Sequence, residues 1–252
     1  MKLFLGLLTL SGSIAFSFGG LVLGIRLLLL ARRTRQLPEL LLGWSFLIGG
    51  FLASLLGWII YTPMKPPEPY LTGALYTLRM SVGTSCALLV VMAWKVFRPN
   101  EAWAKILAML LGLSYLSYVT MSPIGRLTNE ELVRSPLFWW HNVAVTFPYF
   151  WHTWEAARYQ ILLRRRWAIG LPVDLGVATR MQFWTVAMGA EALMFVSVQI
   201  IRIYNAATHQ AVSPALLVAM LGVFCTTAFW MAFFTPKAIL KRAEREAAAN
   251  AA

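Results

Sequence analysis

The most polar of the long apolar segments is FWWHNVAVTFPYFWHTWEAARYQILLRRRW, residues 138–167. It carries His141, His152 and Glu155, followed by Tyr159. Counted from His141, the other three lie at offsets of 11, 14 and 18, which return to nearly the same direction on a helix of 3.6 residues per turn. The spacing therefore predicts that imidazole, carboxyl and phenol groups share one helix face, where they could bind a small ligand or exchange protons.

Two other apolar segments carry residues of the same kind. Glu191 lies near the middle of the sixth segment with no basic residue within four positions, so its partner or its proton must come from another helix. Tyr76 and Arg79 lie near the predicted outer end of the third segment. Since a charged residue at the centre of a span costs about 2.5–3.5 kcal/mol, such residues are expected to face the bundle interior. The third, fifth and sixth spans are thus predicted to enclose a polar cavity, with Glu191 beside His152 and His141 near Arg79.

The same polar stripe also fits a purely structural role. Glu155 and Arg158 are three positions apart and would form a stabilising pair near the inner interface. Pro148 shares the face of the histidines and removes one backbone hydrogen bond, where the cavity is expected to widen. The basic run at the end of the segment is predicted to set topology and bind lipid headgroups: Arg164, Arg165 and Arg166.

Residue spacing disfavours several cofactor chemistries. The last apolar segment has no lysine for a retinal Schiff base, His141 and His152 share one helix where a diheme site needs two, and no HxxxH or HExxH zinc motif is present. Cys86 and Cys225 lie inside apolar segments without a CxxC spacing, so no disulfide is expected. No cofactor, metal site or catalytic residue is predicted, although an enzyme that uses His152 as base and Glu191 as acid stays open.

Composition identifies the class of protein. The chain has 252 residues, of which 59% are hydrophobic and 13% charged, a balance typical of proteins that cross a membrane several times. Its formal net charge is +12, but the basic residues separate apolar runs and form no stripe. Anionic lipid headgroups, and not nucleic acid, are therefore the expected partner.

Seven apolar stretches are long enough to cross about 30 Å of hydrocarbon. They predict an all-α, seven-transmembrane helix bundle over residues 1–236 and a short basic cytoplasmic tail over residues 237–252. The first stretch extends to Leu30, too far for a signal peptide, so it is predicted to be retained. Sixteen of the 22 basic residues flank ends that the positive-inside rule makes cytoplasmic, which puts the N-terminus outside and the C-terminus inside. The predicted spans are residues 3–30, 38–61, 74–97, 102–120, 137–163, 177–204 and 213–234.

Two stretches resemble known groups of membrane proteins. EAARYQILLRRRWAIGLPVDLGVATR, residues 155–180, resembles uncharacterised bacterial seven-span inner-membrane proteins, in which an aromatic fifth span ends in an E-x-x-R-Y and RRR-like run before a Gly-Leu loop. AFFTPKAILKR, residues 232–242, is similar to the ends of some seven-span bacterial sensor modules. The resemblance implies a bacterial inner-membrane protein. This chain differs from fused sensors in having no output domain, so any signal is expected to pass to a separate cytoplasmic partner.

Three functions stay open at this point. The chain is a receptor or sensor-like protein that binds a small ligand or proton in its polar cavity, or a proton-coupled transporter in which Glu191 and His152 exchange protons, or a non-catalytic accessory subunit whose charges only hold the bundle together. Gly20 and Gly24 form a GxxxG spacing, which permits close helix contact and predicts a homodimer interface.

Overall fold

The computed structural model describes residues 2–61, 66–121, 129–209, 212–239 and 241. Within those ranges every regular element is helical, so the all-α prediction is confirmed. The long helices are α1 (Lys2–Thr34), α2 (residues 37–61), α3 (Tyr70–Phe97), α4 (Ala102–Met121), α5 (Pro136–Ala168), α6 (Leu175–Thr208) and α7 (Ala215–Phe233); a six-residue helix, Asn129–Arg134, precedes α5.

Five of the described helices are long and apolar enough to cross a membrane: α1 over Leu10–Thr34, α2 over Leu37–Ile60, α3, α6, and α7 over Leu216–Phe233. The chain is therefore compatible with a multi-pass membrane protein. The described apolar part of α4, Ala102–Leu116, is shorter. Helix α5 is 33 residues long, but it contains the polar residues singled out above.

The helix ends differ from the predicted spans by a few residues. Helix α3 begins at Tyr70, four residues before the predicted start, and α5 continues to Ala168, beyond the predicted end at residue 163. Side-chain caps account for two of the starts, since each satisfies a backbone N–H that has no partner inside the helix. The Ser135 hydroxyl accepts a hydrogen bond from the backbone N–H of Phe138, and the Asp174 carboxylate accepts one from that of Val177. Most of the predicted tail lies outside the described residues.

Helices that follow one another in the chain run in opposite directions, whereas α1 and α7 pack in parallel, so the bundle has two ends. We name them after α3: the Tyr70 end, where α3, α5 and α7 begin, and the Phe97 end, where α1, α3, α5 and α7 finish. One apolar cluster joins α1, α2, α3, α5, α6 and α7, and a second joins α3, α4, α5 and α6. Helices α3, α5 and α6 contribute to both clusters, which puts the polar residues of these three helices at the centre of the molecule.

Helices α1 and α2 pack at backbone distance. A Cβ atom placed on Gly20 would lie 2.7 Å from the carbonyl carbon of Gly50, and one on Gly24 would lie 2.6 Å from the Leu47 side chain. Lipid tails do not drive apolar helices together, so association depends on close van der Waals contact. Small residues permit that contact because they let two backbones approach. The GxxxG spacing is thus occupied inside the chain. A homodimer remains a prediction, and it would need another surface.

The middle of α2 is wound more widely than an α-helix. Residues Leu37–Ser45 and Ser54–Tyr61 are α-helical, whereas Phe46–Ala53 forms a π-helical segment. Just before this segment, the Ser45 hydroxyl lies 2.8 Å from the Ser85 hydroxyl of α3. Both serines are buried, so this pair satisfies its polar groups across the helix interface.

The proline inside α5 has a specific replacement for the hydrogen bond that it removes. Pro148 has no N–H and cannot donate to the carbonyl of Ala144, four residues earlier. The Tyr115 hydroxyl of α4 donates to that carbonyl instead, over 2.8 Å. All three residues are buried, so the missing backbone bond becomes a link between two helices.

Candidate functional site

Glu155 lies at the Phe97 end in a buried ion pair. Its Oε1 is 2.6 Å from Nε of Arg98 and its Oε2 is 3.2 Å from Nη2, which is the bidentate geometry that guanidinium groups make with carboxylates. Arg158, the partner considered from the sequence, lies 4.0 Å away with half of its side chain exposed. The Glu155 side chain is 6% exposed, so this contact fixes the end of α3 to α5.

His152 is enclosed by backbone and aromatic groups. Its Nε2 is 2.9 Å from the carbonyl oxygen of Leu89, and since a carbonyl only accepts, Nε2 carries the proton. The rings of Phe97 and Trp184 each meet the imidazole edge-to-face at 5.8 Å. With no exposed surface, His152 connects α3, α5 and α6.

Glu191 lies in the interior without a charged partner among the described residues. It is buried at 5% exposure, and within that part of the chain no hydrogen bond or ion pair joins it to another side chain, His152 included. It lies within electrostatic range of the Cys86 and Cys225 thiols and the Tyr149 phenol. The Trp184 indole, two turns away from Glu191 on α6, packs edge-to-face against His152, which was predicted to be the neighbour of Glu191.

Three basic residues interact electrostatically near the Tyr70 end, where His141 is within range of both Arg79 and Arg202. The guanidinium groups of Arg79 on α3 and Arg202 on α6 both act electrostatically on the His141 imidazole of α5. Arg202 also stacks over the Phe138 ring, with its guanidinium carbon 5.7 Å from the ring centroid. All three basic side chains are half-buried. His141 therefore lies within electrostatic range of Arg79, which was predicted to be near it, and also of Arg202.

Two predicted cavity residues lie on the outside of the bundle. Tyr159 is 43% exposed, because it lies one turn beyond Glu155 and α3 has already ended at Phe97. Tyr76 is 42% exposed, one turn closer to the start of α3 than Arg79. The prediction that these tyrosines line an internal cavity is therefore corrected. The basic run after Tyr159 is exposed as expected of an interface anchor: Arg164, Arg165 and Arg166.

The predicted site residues thus occupy three neighbourhoods: the ion pair at the Phe97 end, the interior around His152 and Glu191, and the basic cluster at the Tyr70 end. Within the described part of the chain, no three His, Cys, Asp or Glu side chains lie close enough together to hold a metal ion. Cys86 and Cys225 are separate buried thiols.

Sequence reasoning left two of these residues out of the site. Arg202 lies 11 positions after Glu191, on the same helix face, and that spacing was the available signal. Arg98 follows the end of α3 and was counted only among the topology-setting residues. No local spacing connects it to Glu155, 57 positions later.

Comparison of the chain with protein-family models, with curated proteins and with solved structures gave no significant match.

Proposed function

We propose that this chain is a seven-helix receptor or sensor-like protein of a bacterial inner membrane, with its N-terminus outside and its C-terminus inside. In addition to the five apolar helices, we assign α4 and α5 as the sixth and seventh crossings. Twenty residues of α4 reach about 30 Å and 33 residues of α5 about 50 Å, which suffices for the hydrocarbon layer. The polar residues of α5 face neighbouring helices in the first part of the helix, as a spanning segment requires.

The ligand that we propose is a small anion, a carboxylate or a phosphate, at the cluster of Arg79, His141 and Arg202. The observation that carries this proposal is the convergence of three basic side chains from three helices. The guanidinium groups of Arg79 and Arg202 would both attract an anion, and the imidazole of His141 offers a hydrogen bond to it. With α3 and α5 outward at the Tyr70 end, the cluster would face the outside of the cell.

An anion held by this cluster would also connect the helices that carry the interior residues. Helices α3, α5 and α6 meet again at His152, through the Leu89 carbonyl and the Trp184 ring. An anion would draw the Tyr70 ends of these helices together and so favour one packing of the three helices over another. A ligand shifts the equilibrium between two packings by binding one of them more tightly. The basic helix ends on the other side would then meet the separate cytoplasmic partner.

Anion binding predicts a ligand-dependent stability. For the purified full chain in detergent, either phosphate or succinate at 100 times its dissociation constant should stabilise the fold by about 2.7 kcal/mol. For a chain of this size, that corresponds to a rise of roughly 5–10 °C in the unfolding midpoint. Arg202→Gln should abolish most of this rise because it removes one of the two guanidinium charges of the cluster.

The matched control is Arg180→Gln, which removes the same charge from the other end of α6, where Arg180 is exposed. This variant should retain the full response. A response equal in wild type and Arg202→Gln, or no saturable response to either anion, would show that the cluster is not an anion site and favour the accessory-subunit function.

A second function, proton-coupled transport, is supported by Glu191. A buried carboxyl without a counter-ion carries a proton or acquires a cationic partner, and such residues in membranes commonly mark proton pathways. The titratable groups that surround it are the Cys86 thiol on α3, the Tyr149 phenol on α5 and the Cys225 thiol on α7. None of these is a cation, so the proton of Glu191 would have to be exchanged with a substrate or with water.

Transport through Glu191 predicts proton uptake by proteoliposomes that contain the full chain and a pH-sensitive dye, under an inside-negative potential. Glu191→Gln should reduce the rate to that of empty liposomes, because an amide cannot exchange the proton. The control is Glu101→Gln, an exposed carboxyl between α3 and α4, which should leave the rate unchanged. If wild type and empty liposomes are equal, proton uptake through Glu191 in the absence of a substrate is excluded, whatever the outcome of the anion experiment.

A further inference from the structure

Helices α1 and α7 form a groove of about 380 Å³ on the outside of the bundle at the Phe97 end. Its charged part consists of two arginines of α1, Arg26 and Arg33, and its apolar part includes Leu29, Leu30, Phe233 and Phe234. The two leucines are 54% and 42% exposed. The groove thus combines a cationic site with an open apolar wall.

Arg26 is the unusual residue of this groove. It lies eight positions before the end of α1, which is about 12 Å into an otherwise apolar span. Its guanidinium carbon stacks 4.3 Å from the centroid of the Phe234 ring and 5.8 Å from that of Trp230. Within the described residues no carboxylate forms an ion pair with it, and its side chain is exposed. An exposed cation in an apolar span needs an anion supplied from outside the described helices.

Arg33 lies seven positions after Arg26, so the two side chains point in nearly the same direction, two turns apart. Leu29 and Leu30 lie between them on the exposed surface. The two guanidinium groups can therefore contact the same phosphate group, while the exposed leucines offer an apolar surface beside it. Arginine is suited to the phosphate part because its planar fork donates two hydrogen bonds at once.

We propose that this groove binds an anionic phospholipid of the adjacent leaflet, with its phosphate between Arg26 and Arg33 and one acyl chain along Leu29, Leu30 and Phe233. Basic pockets between spanning helices are a known way to hold acidic headgroups. The site is separate from the basic cluster at the Tyr70 end. It requires only that α1 and α7 cross the membrane, so it does not depend on the function proposed above.

Native mass spectrometry of the purified full chain tests this site with two lipids of matched acyl chains, phosphatidylglycerol and phosphatidylcholine. Wild type should retain the anionic lipid in preference to the zwitterionic one. Arg26→Gln and Arg33→Gln should each reduce that preference about fivefold. Arg26→Lys retains the positive charge and should lose less than Arg26→Gln, which separates charge from altered folding.

Arg32→Gln is the matched control, because Arg32 lies at the same end of α1, is also exposed, and does not line the groove. It should leave the preference unchanged, and inorganic phosphate should not displace the lipid, since the free anion lacks the acyl contacts. Equal retention of both lipids by wild type, an Arg32→Gln loss equal to that of Arg26→Gln, or displacement by inorganic phosphate would each overturn the proposal.

Discussion

Replacing Arg98 by alanine is expected to lower the free energy of unfolding by about 3–5 kcal/mol. The reason is the carboxylate left behind. Glu155 is 6% exposed and receives its two short contacts from Arg98, at 2.6 and 3.2 Å. When the guanidinium is removed, a buried charge loses its compensation, and that penalty is larger than the net value of the pair itself. Unfolding of the full chain by a denaturing detergent, followed by circular dichroism, measures the change.

Arg158→Ala is the control for this prediction, since it removes an arginine from the same carboxylate at a distance of 4.0 Å and with half of its side chain exposed. It should cost less than about 1 kcal/mol. The double variant Arg98→Ala with Glu155→Gln should regain part of the lost stability, because an amide is cheaper to bury than an unpaired charge. Equal losses of stability from Arg98→Ala and Arg158→Ala would mean that the bidentate contact does not stabilise the fold more than the longer Arg158 contact.

Gly20→Ala is expected to destabilise the bundle by about 1–3 kcal/mol, although alanine is the better helix former. The new methyl group would lie 2.7 Å from the Gly50 carbonyl carbon and 2.9 Å from its Cα. Both are backbone atoms, so no side chain can rotate away, and α1 and α2 must separate. The same detergent titration measures the loss, and a shift of α1 against α2 can be followed by cross-linking between engineered cysteines.

Gly57→Ala provides the control with the opposite sign. Gly57 lies on α2 as well, but a Cβ atom there has no neighbour within 4 Å. Only the higher helix preference of alanine remains, so the free energy of unfolding of this variant should rise by up to about 1 kcal/mol. A gain in both variants would contradict the close packing of α1 on α2.

Much of this fold is predictable from the sequence because the signals are local. Apolar length indicates which helices could span a membrane. The carboxylates Glu155 and Glu191 inside such stretches are buried as expected, whereas Arg26 is exposed. The predicted buried face of α5 agrees with the structure at His152 and Glu155, both of which are buried. It fails at Tyr159, because periodicity along one helix does not reveal where the neighbouring helix ends.

Partners across helices are the part that the sequence could not supply. Helical spacing connects Glu155 to Arg158, whereas the actual bidentate contact comes from Arg98, 57 positions away. Similarly, Pro148 predicts an unpaired carbonyl at Ala144, but not that Tyr115 of another helix donates to it. Both choices depend on depth and rotation of whole helices, which no short window of residues contains.

The π-helical segment Phe46–Ala53 has a consequence for chain length. Each of its turns accommodates more residues than an α-helical turn, so the surplus is absorbed by wider winding. One residue fewer in this segment would let it rewind as α-helix, with Leu37–Ser45 and Ser54–Tyr61 still directed at their present neighbours. In α3, the same loss would turn Ser85 by about 100° away from Ser45. Helix α2 therefore contains a segment in which the chain can lose one residue while both ends of the helix keep their orientation.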